Sequence, residues 1–388
     1  MSTSLRGNWN YPTSIKAGAG RIGELPDFCK QLKMQNPLLV TDPGLANLPM
    51  VTSTIALVKS AGLGCGLFSG IKGNPTGLNV SDGVAAFKHG KHDGVIAFGG
   101  GSALDAAKAI ALMVGQSRPL WDFEDVGDNY LRVNVDGMAP VVAIPTTAGT
   151  GSEVGRASVI TDDAAHVKRI IFHARMLPAI VILDPELSTG LPAKLTAATG
   201  MDALSHSLEA YCAPSYHPLA VGVAVEGMRL VKEWLPTAVA DGHNLEARMQ
   251  MLVASSAGAT AFQRGLGAMH ALAHPLGAVY DAHHGTLNAI LMPYVLKANE
   301  QAISERITTL ARYLNLSNPS FKSFLDWVLA LREQIGIPHQ LAAIGIPDND
   351  HDKIGAMALE DPSAGGNPIP FTAQQYAALC KRAVVGQM

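Results

Sequence analysis

Along the first half of the chain, short apolar runs alternate with stretches of helical period. Pro37-Leu38-Leu39-Val40-Thr41-Asp42 is closed by an acid and the pair Pro43-Gly44, and a helical stretch follows over 50–61. Next come Gly64-Cys65-Gly66-Leu67-Phe68, an amphipathic segment over 79–91, the run Gly94-Val95-Ile96-Ala97-Phe98, and an Ala-rich helix from Ser102 to about Val114. Residues 140–144 and 179–183 are further buried-strand candidates. Apolar runs of this length, each followed by a helical stretch, read as βαβ units around a parallel sheet. Between the last two, Val154–Thr161 and Val167–Phe172 read as an antiparallel pair. After Asp184-Pro185 the pattern changes: from Pro192 to about Gly386, Ala, Leu, Met and Glu recur at helical spacing, as in Met228-Leu230-Val231-Trp234-Leu235. The pattern therefore predicts an α/β domain over 1–185 and an all-α domain over 186–388. The two are expected to pack closely and form a cleft, where ligand sites concentrate.

Composition narrows the class. Charged residues are 16% of the 388 and hydrophobic residues 48%, against a usual charged share of about 25%. Such a chain buries a large core, which excludes intrinsic disorder. The formal net charge is −3, and basic residues cluster only in pairs such as Lys168-Arg169, so no nucleic-acid partner is expected. No apolar run approaches the ~18 residues that span a bilayer. Met1–Asn8 lacks the apolar core of a signal peptide. The four cysteines (Cys29, Cys65, Cys212, Cys380) are far apart and form no C-x-x-C, which argues against disulfides and a zinc ribbon. A soluble, cytoplasmic protein is the expectation.

Candidate chemistry begins at Phe98-Gly99-Gly100-Gly101-Ser102, between a buried strand and a helix. Three glycines remove the side chains that would hold a pyrophosphate off the main chain. The helix start presents free N–H groups to an anion, and Ser102 suits the N-cap. The run is neither G-x-G-x-x-G, since Leu104 stands where the third glycine would be, nor a Walker A loop. A second loop, Ile144-Pro145-Thr146-Thr147-Ala148-Gly149-Thr150-Gly151-Ser152-Glu153, also follows a buried strand and is dense in hydroxyls and glycines. Two such loops at strand C-terminal ends point to a nucleotide crevice. Asp42 ends an earlier strand, where a carboxylate accepts hydrogen bonds from a ribose 2′-OH and repels a 2′-phosphate, favouring NAD over NADP.

The helical half carries a second cluster. Seven of the thirteen histidines lie between His206 and His284. Asp202 and His206 stand at i and i+4, on one helix face, as do His270 and His274; His283 and His284 follow at a turn. One carboxylate with several imidazoles suits a divalent transition metal such as Fe²⁺ or Zn²⁺ rather than Ca²⁺. His270, His274 and His284 are more than one face needs, and spacing leaves open which of them bind.

Together these motifs resemble the iron-containing (group III) alcohol dehydrogenases, within the wider superfamily of dehydroquinate synthase-like folds. The resemblance rests on Gly99-Gly100-Gly101-Ser102 with Asp105 and Lys108, on Pro145 to Glu153, on Gly200-Met201-Asp202-Ala203-Leu204-Ser205-His206, and on His270-Ala271-Leu272-Ala273-His274-Pro275-Leu276-Gly277 with His284-Gly285. It runs from about Tyr11-Pro12-Thr13 through Gly365-Gly366-Asn367-Pro368.

It implies a Rossmann-like dinucleotide-binding domain, a helical metal-binding and catalytic domain, and hydride transfer between NAD(H) and a small alcohol or aldehyde, hydroxy acids included. Matched by motif position, Asp202, His206, His270 and His284 would be the metal ligands. His274 would be the additional histidine that acts in proton transfer near the nicotinamide. Asp42, Asn74, Gly99, Gly100, Gly101, Ser102, Thr146, Thr147 and Lys168 fall on positions that contact NAD in relatives. Relatives are commonly dimers or larger homo-oligomers.

Three departures stand out: Gly155 where relatives often carry Thr, His283 where some have Pro, and residues 69–73, which differ upstream of Asn74-Pro75-Thr76. Gly285 favours His284 over His283 as the ligand. The rival expectation is an NAD-using lyase of the dehydroquinate synthase type, whose anionic substrate would want clustered Lys and Arg. The metal segment is poor in them, with Arg264 the main exception.

Overall fold

A computed structural model describes residues 7–9, 13–165 and 167–388 of the chain. Tyr11 and Pro12, at the start of the resemblance, lie outside the described residues. The chain divides into two compact units, one running to Thr147 and resuming over Gly151–Gly190, the other made of Ala148–Thr150 and Leu191–Met388.

The first unit contains β1 (Gly7–Trp9), β2 (Ser14–Ala17), α1 (Leu25–Gln31), β3 (Leu38–Val40), α2 (Pro49–Ser60), β4 (Gly66–Phe68), α3 (Gly77–His89), β5 (Val95–Gly99), α4 (Gly101–Met113), β6 (Val141–Pro145), β7 (Ala157–Asp162), β8 (Val167–Phe172) and β9 (Ile180–Leu183). Seven strands form one sheet in the order β1-β2-β9-β6-β5-β3-β4, with β1 antiparallel at the edge and every other pairing parallel. Strands β3, β5, β6 and β9 are buried at every residue. That is why they read as unbroken apolar runs rather than alternating ones.

On one face Leu39, Ile96, Phe98, Val142, Ile144, Ile180 and Ile182 join Phe28 of α1 and Val51 and Val58 of α2 in a single cluster. Strand alternation sends Val40, Ala97 and Ala143 to the other face. There α4 packs on β3, β5 and β6 and is covered in turn by α3 and β7. A helix enclosed in this way needs small apolar residues all round, and Ala103, Ala106, Ala107, Ala109 and Ala111 are all buried. The chain leaves β3 for β4 on one side and returns to β5 on the other. The winding therefore reverses between β3 and β5, the place where open α/β sheets bind ligands.

The structure differs from the pattern in two places. The antiparallel pair forms its own sheet, with Ala157 opposite Phe172 and Asp162 opposite Val167. It starts three residues later than Val154, because Ser152–Val154 turns as a short 3₁₀ helix. The edge strands β1 and β2 were not foreseen from the pattern. In β2 only Ile15 and Ala17 are buried, and two apolar positions give too little periodicity to detect.

The second unit is helical: α5 (Ala193–Cys212), α6 (Pro218–Ala240), α7 (Leu245–Ala261), α8 (Ala268–Tyr280), α9 (His284–Tyr313), α10 (Phe321–Gln334), α11 (His351–Glu360) and α12 (Ala373–Val385). α5 is its axis. It packs against α6, α7 and α9 and is buried at every residue from Gly200 to Cys212. Close approach of α9 depends on Gly285, where a Cβ would stand 2.5 Å from the Ala198 carbonyl oxygen. Arg264 donates to the carbonyls of Ala210, Tyr211 and Ser215, satisfying the C-terminal end of α5. Its guanidinium is thereby committed to the fold. Among the described residues no helix is long and apolar enough to cross a membrane.

Candidate metal centre and cofactor loops

The candidate cofactor residues gather at the C-terminal ends of adjacent strands. Gly99 closes β5 with φ 141°, a conformation that glycine adopts without strain. A Cβ there would meet Ala103 at 2.9 Å and would lie 3.6 Å from the Asp42 carboxylate, and one on Gly100 would touch Thr147 at 3.4 Å. Asp42, Gly99, Gly100 and Thr147 thus sit side by side across the reversal between β3 and β5 and onto β6. Asp42 accepts the N–H of Leu45, which fixes its carboxylate at the strand end. Thr146 is buried, its N–H donating to the Gly99 carbonyl.

The N-cap of α4 is Gly100, not Ser102, which lies inside the first turn; the cap has no side-chain hydrogen bond. This differs from the capping expectation for a plain reason: an uncapped glycine start leaves the first N–H groups of α4 for an anion. Asn74, at φ 53°, accepts a 2.9 Å hydrogen bond from Lys168 of β8. Two candidates 94 positions apart in sequence are therefore neighbours.

Asp105 and Lys108 serve the scaffold. Asp105 accepts from the Ser152 hydroxyl and the Val159 N–H, tying α4 to the second loop and β7. Lys108 is buried, pairs with Asp105 at 3.2 Å and donates to the Ala157 carbonyl. Burial lowers its proton affinity against the pull of Asp105. A Cβ at Gly155 would stand 3.4 Å from the Lys108 ammonium, so the departure at 155 leaves room beside this buried pair.

In the helical unit, Asp202 and His206 of α5, His270 of α8 and His284 at the first turn of α9 converge, each offering one ligand atom within 4.8 Å of the others. Asp202, His206 and His270 are buried. His206 and His270 stack with ring centroids 4.7 Å apart. Oxygen acceptors sort the ring nitrogens. The Gly149 carbonyl lies 3.2 Å from His206 Nδ1, and Glu209 lies 2.6 Å from His270 Nδ1. A carbonyl or carboxylate accepts and cannot donate, so each Nδ1 carries the proton and each Nε2 keeps its lone pair.

Burial pushes the His206 imidazole down to about 4. Burial acts the same way on His270, but the Glu209 hydrogen bond and charge outweigh it and raise the proton affinity of that ring. Three imidazoles and one carboxylate, with Asp202, His206 and His270 buried and the Nδ1 atoms of His206 and His270 held by oxygen acceptors, fit a divalent transition cation.

His274 and His283 stay outside this set. His274 Nδ1 bonds Asp361 at 2.8 Å, and its ring stacks on His284 with centroids 5.4 Å apart. The His274 imidazole holds the Asp361 carboxyl below the usual range although burial acts the other way. His283 is exposed and caps α9, its Nδ1 accepting from the Thr286 N–H.

Three residues at the site went unnoticed in the sequence. Glu209 stands three positions after His206 on the buried face of α5. Asp361 lies in a turn before Pro362. Asn288, one turn after His284, places its amide nitrogen 2.8 Å from Asp202, 3.1 Å from His284 and 3.2 Å from His270. Helical spacing from His206 and His284 could have flagged Glu209 and Asn288; nothing local flags Asp361.

Comparisons with known proteins cover nearly the whole chain. Residues 12–185 match the model of iron-containing alcohol dehydrogenases, and residues 196–384 match the model of the C-terminal part of the Fe-containing alcohol dehydrogenase family. The chain is 36% identical over 384 residues to a 4-hydroxybutyrate dehydrogenase of Cupriavidus necator, covering 96% of this chain and 99% of that protein. It is 36% identical over 384 residues to an NAD-dependent methanol dehydrogenase of Bacillus methanolicus, covering 97% and 100%. The crystal structure of a 1,3-propanediol oxidoreductase superposes with a TM-score of 0.91 at 35% identity, covering 99% of this chain and 100% of that one. With both halves matched and near-complete coverage of relatives above 30% identity, the chain belongs to the iron-containing alcohol dehydrogenase family.

Proposed function

We propose that the protein is a metal-dependent alcohol dehydrogenase and aldehyde reductase that moves hydride between NAD(H) and a small alcohol, aldehyde or hydroxy acid. The observation that carries this reading is the convergence of Asp202, His206, His270 and His284 on one buried point in a chain of this family. These four residues would hold Fe²⁺, with Zn²⁺ suiting the same donors. Bound there, such a cation supplies Lewis acidity toward the oxygen of an alcohol or carbonyl group.

The chain's own groups do the rest. His274, with Nδ1 engaged by Asp361, has Nε2 left to take or return the hydroxyl proton. Gly99, Gly100, Gly101 and Ser102 present main-chain N–H groups to the diphosphate of NAD. Thr146 and Thr147 add hydroxyls, and the linked pair Asn74 and Lys168 adds an amide and a positive charge. Asp42 would accept from the adenosine ribose and exclude a 2′-phosphate. The named relatives act on 4-hydroxybutyrate and methanol, and we extend to this chain only the class of short alcohols that these represent. A cytoplasmic homodimer or larger homo-oligomer is the form in which we expect it to work.

The lyase alternative of the dehydroquinate synthase type is not favoured. It wants free cationic side chains near the cation, and Arg264 is spent on the end of α5.

The test is direct. Protein loaded anaerobically with Fe²⁺, given NAD and a panel of short alcohols, diols and hydroxy acids, should accumulate the reduced-nicotinamide absorbance band. Removing the cation with a chelator should stop it. No growth of that band with any substrate, in protein that retains iron and binds NAD, would refute the redox reading.

A further inference from the structure

We propose that Glu209 is a positioning residue for the cation site: it holds His270 in the one tautomer that can ligate and joins that histidine to the helix carrying Asp202 and His206. The proposal rests on the reading of His270 as a ligand and goes beyond it.

Glu209 is only 5% exposed. On α5 it follows Asp202 by seven positions and His206 by three, so all three project from one face. Its Oε2 accepts from His270 Nδ1 at 2.6 Å and from the Gly267 N–H at 2.8 Å, and its Oε1 accepts from the Met269 N–H at 2.7 Å. Between these two backbone groups, the Ala268 N–H donates to Asn367 Oδ1 at 3.2 Å. One carboxylate therefore accepts two N–H groups at the α8 N-terminus and the imidazole of His270 in its first turn. Every donor it meets is an N–H, so the His270 proton stays on Nδ1 and the Nε2 lone pair points away from Glu209.

A glutamine of the same size cannot do this. Its amide has a single accepting oxygen, and its NH₂ would face either a backbone N–H or Nδ1. In the second case His270 must move its proton to Nε2, the atom the cation needs. Outer carboxylates of this kind change metal affinity by about 10- to 100-fold when removed.

The experiment measures Co²⁺ affinity by chelator competition, and the Co²⁺ ligand-field absorption, in cation-stripped full-length protein and its variants. Glu209→Gln should weaken Co²⁺ binding by about 10- to 100-fold and alter the absorption. Glu209→Asp, which keeps the charge on a shorter arm, should recover part of both. A purely structural cap would instead lower the melting temperature of the stripped variant and leave affinity and spectrum unchanged, which would overturn the proposal.

Should Glu209→Gln fail to fold, ¹⁵N imidazole spectra of the stripped wild type, assigned with His270→Asn, decide the matter. A proton on Nδ1 of His270 supports the assignment, and one on Nε2 overturns it. A wild type that takes up no Co²⁺ at this cluster would instead sink the metal reading itself.

Discussion

The strand-end loops of the α/β unit and the buried faces of α5, α8 and α9 both gather candidate ligands, but with different parts of the residue. Around β3, β5 and β6 the useful groups are mostly main chain. Gly99 adopts φ 141° and Gly100 starts α4 without a cap, so the sequence contributes by omitting side chains. In the helical unit the useful groups are side chains. Asp202, His206, His270 and His284 project from three helices to within 4.8 Å, and each is held by a further residue or by the close approach of its helix. A main-chain site tolerates change in most neighbours and fails when a Cβ enters. A side-chain site fails when a single donor, or the oxygen that orients it, is lost.

That contrast can be broken in four places. His270→Ala should have the largest effect: cation content falls to background and turnover drops by roughly 10³-fold or more, the worth of several kcal/mol of Lewis-acid assistance. NAD affinity should persist, because the glycine loops are untouched. Metal analysis and NADH fluorescence titration on the same sample check both halves, and full activity in the metal-free variant would dissolve the distinction.

A pH experiment sharpens it next. Burial pushes His206 down to about 4 from an ordinary 6.5. Between those values the unfolded chain binds a proton that the folded chain does not, so stability falls as pH drops through that window, by roughly 3 kcal/mol at most. Urea melts of cation-free protein across the window should show a steeper loss than the same melts of His206→Gln. Parallel curves would mean that the imidazole is not held neutral by burial.

Gly285→Ala addresses the helix approach rather than a ligand. Its Cβ would stand 2.5 Å from the Ala198 carbonyl oxygen, and overpacking of this kind costs about 1–3 kcal/mol. We expect a lower denaturation midpoint together with weaker cation retention, because His284 rides on the same turn. A midpoint equal to that of the wild type would show that α9 can shift at no cost.

Asp42→Gly should act on cofactor choice alone and leave the cation and the fold in place. Losing a charged acceptor for a ribose hydroxyl costs about 1.5–3 kcal/mol, and losing its charge removes the repulsion of a 2′-phosphate. The NAD to NADP ratio of kcat/KM should shift by about tenfold or more toward NADP. An unchanged ratio would take Asp42 out of the ribose site.

Much of the fold was legible because its signals are local. The unbroken apolar runs ending at Val40, Phe98 and Ile144 and the Ala-rich α4 follow from burial on both faces, and burial shows directly in residue type. The short polar-apolar alternation of β2 was too brief to read, and the hairpin began late because a 3₁₀ turn at Ser152–Val154 consumes the residues before it. At the sites, the i, i+4 pairs announced a cluster but not its membership. His274 has the same helical relation to His270 that His206 has to Asp202. Nevertheless its Nδ1 goes to Asp361, 87 positions away, and its ring is absent from the converging set. His283, adjacent to His284, turns out to cap a helix.

Taken alone, the sequence determined where strands and helices lie, where the main chain is bare enough to meet a phosphate, and which donor types a cation could find. All three depend on residue type and short-range periodicity. The motif resemblance named the four donors, but tertiary structure alone brought them to one point, decided which nitrogen of His206 and His270 carries the proton, and placed Glu209, Asn288 and Asp361 beside the imidazoles. The physical reason is separation along the chain: Asp202 and Asn288 touch across 86 positions and His270 and Glu209 across 61, and contacts at that range leave no periodic trace for a reader of the sequence to find.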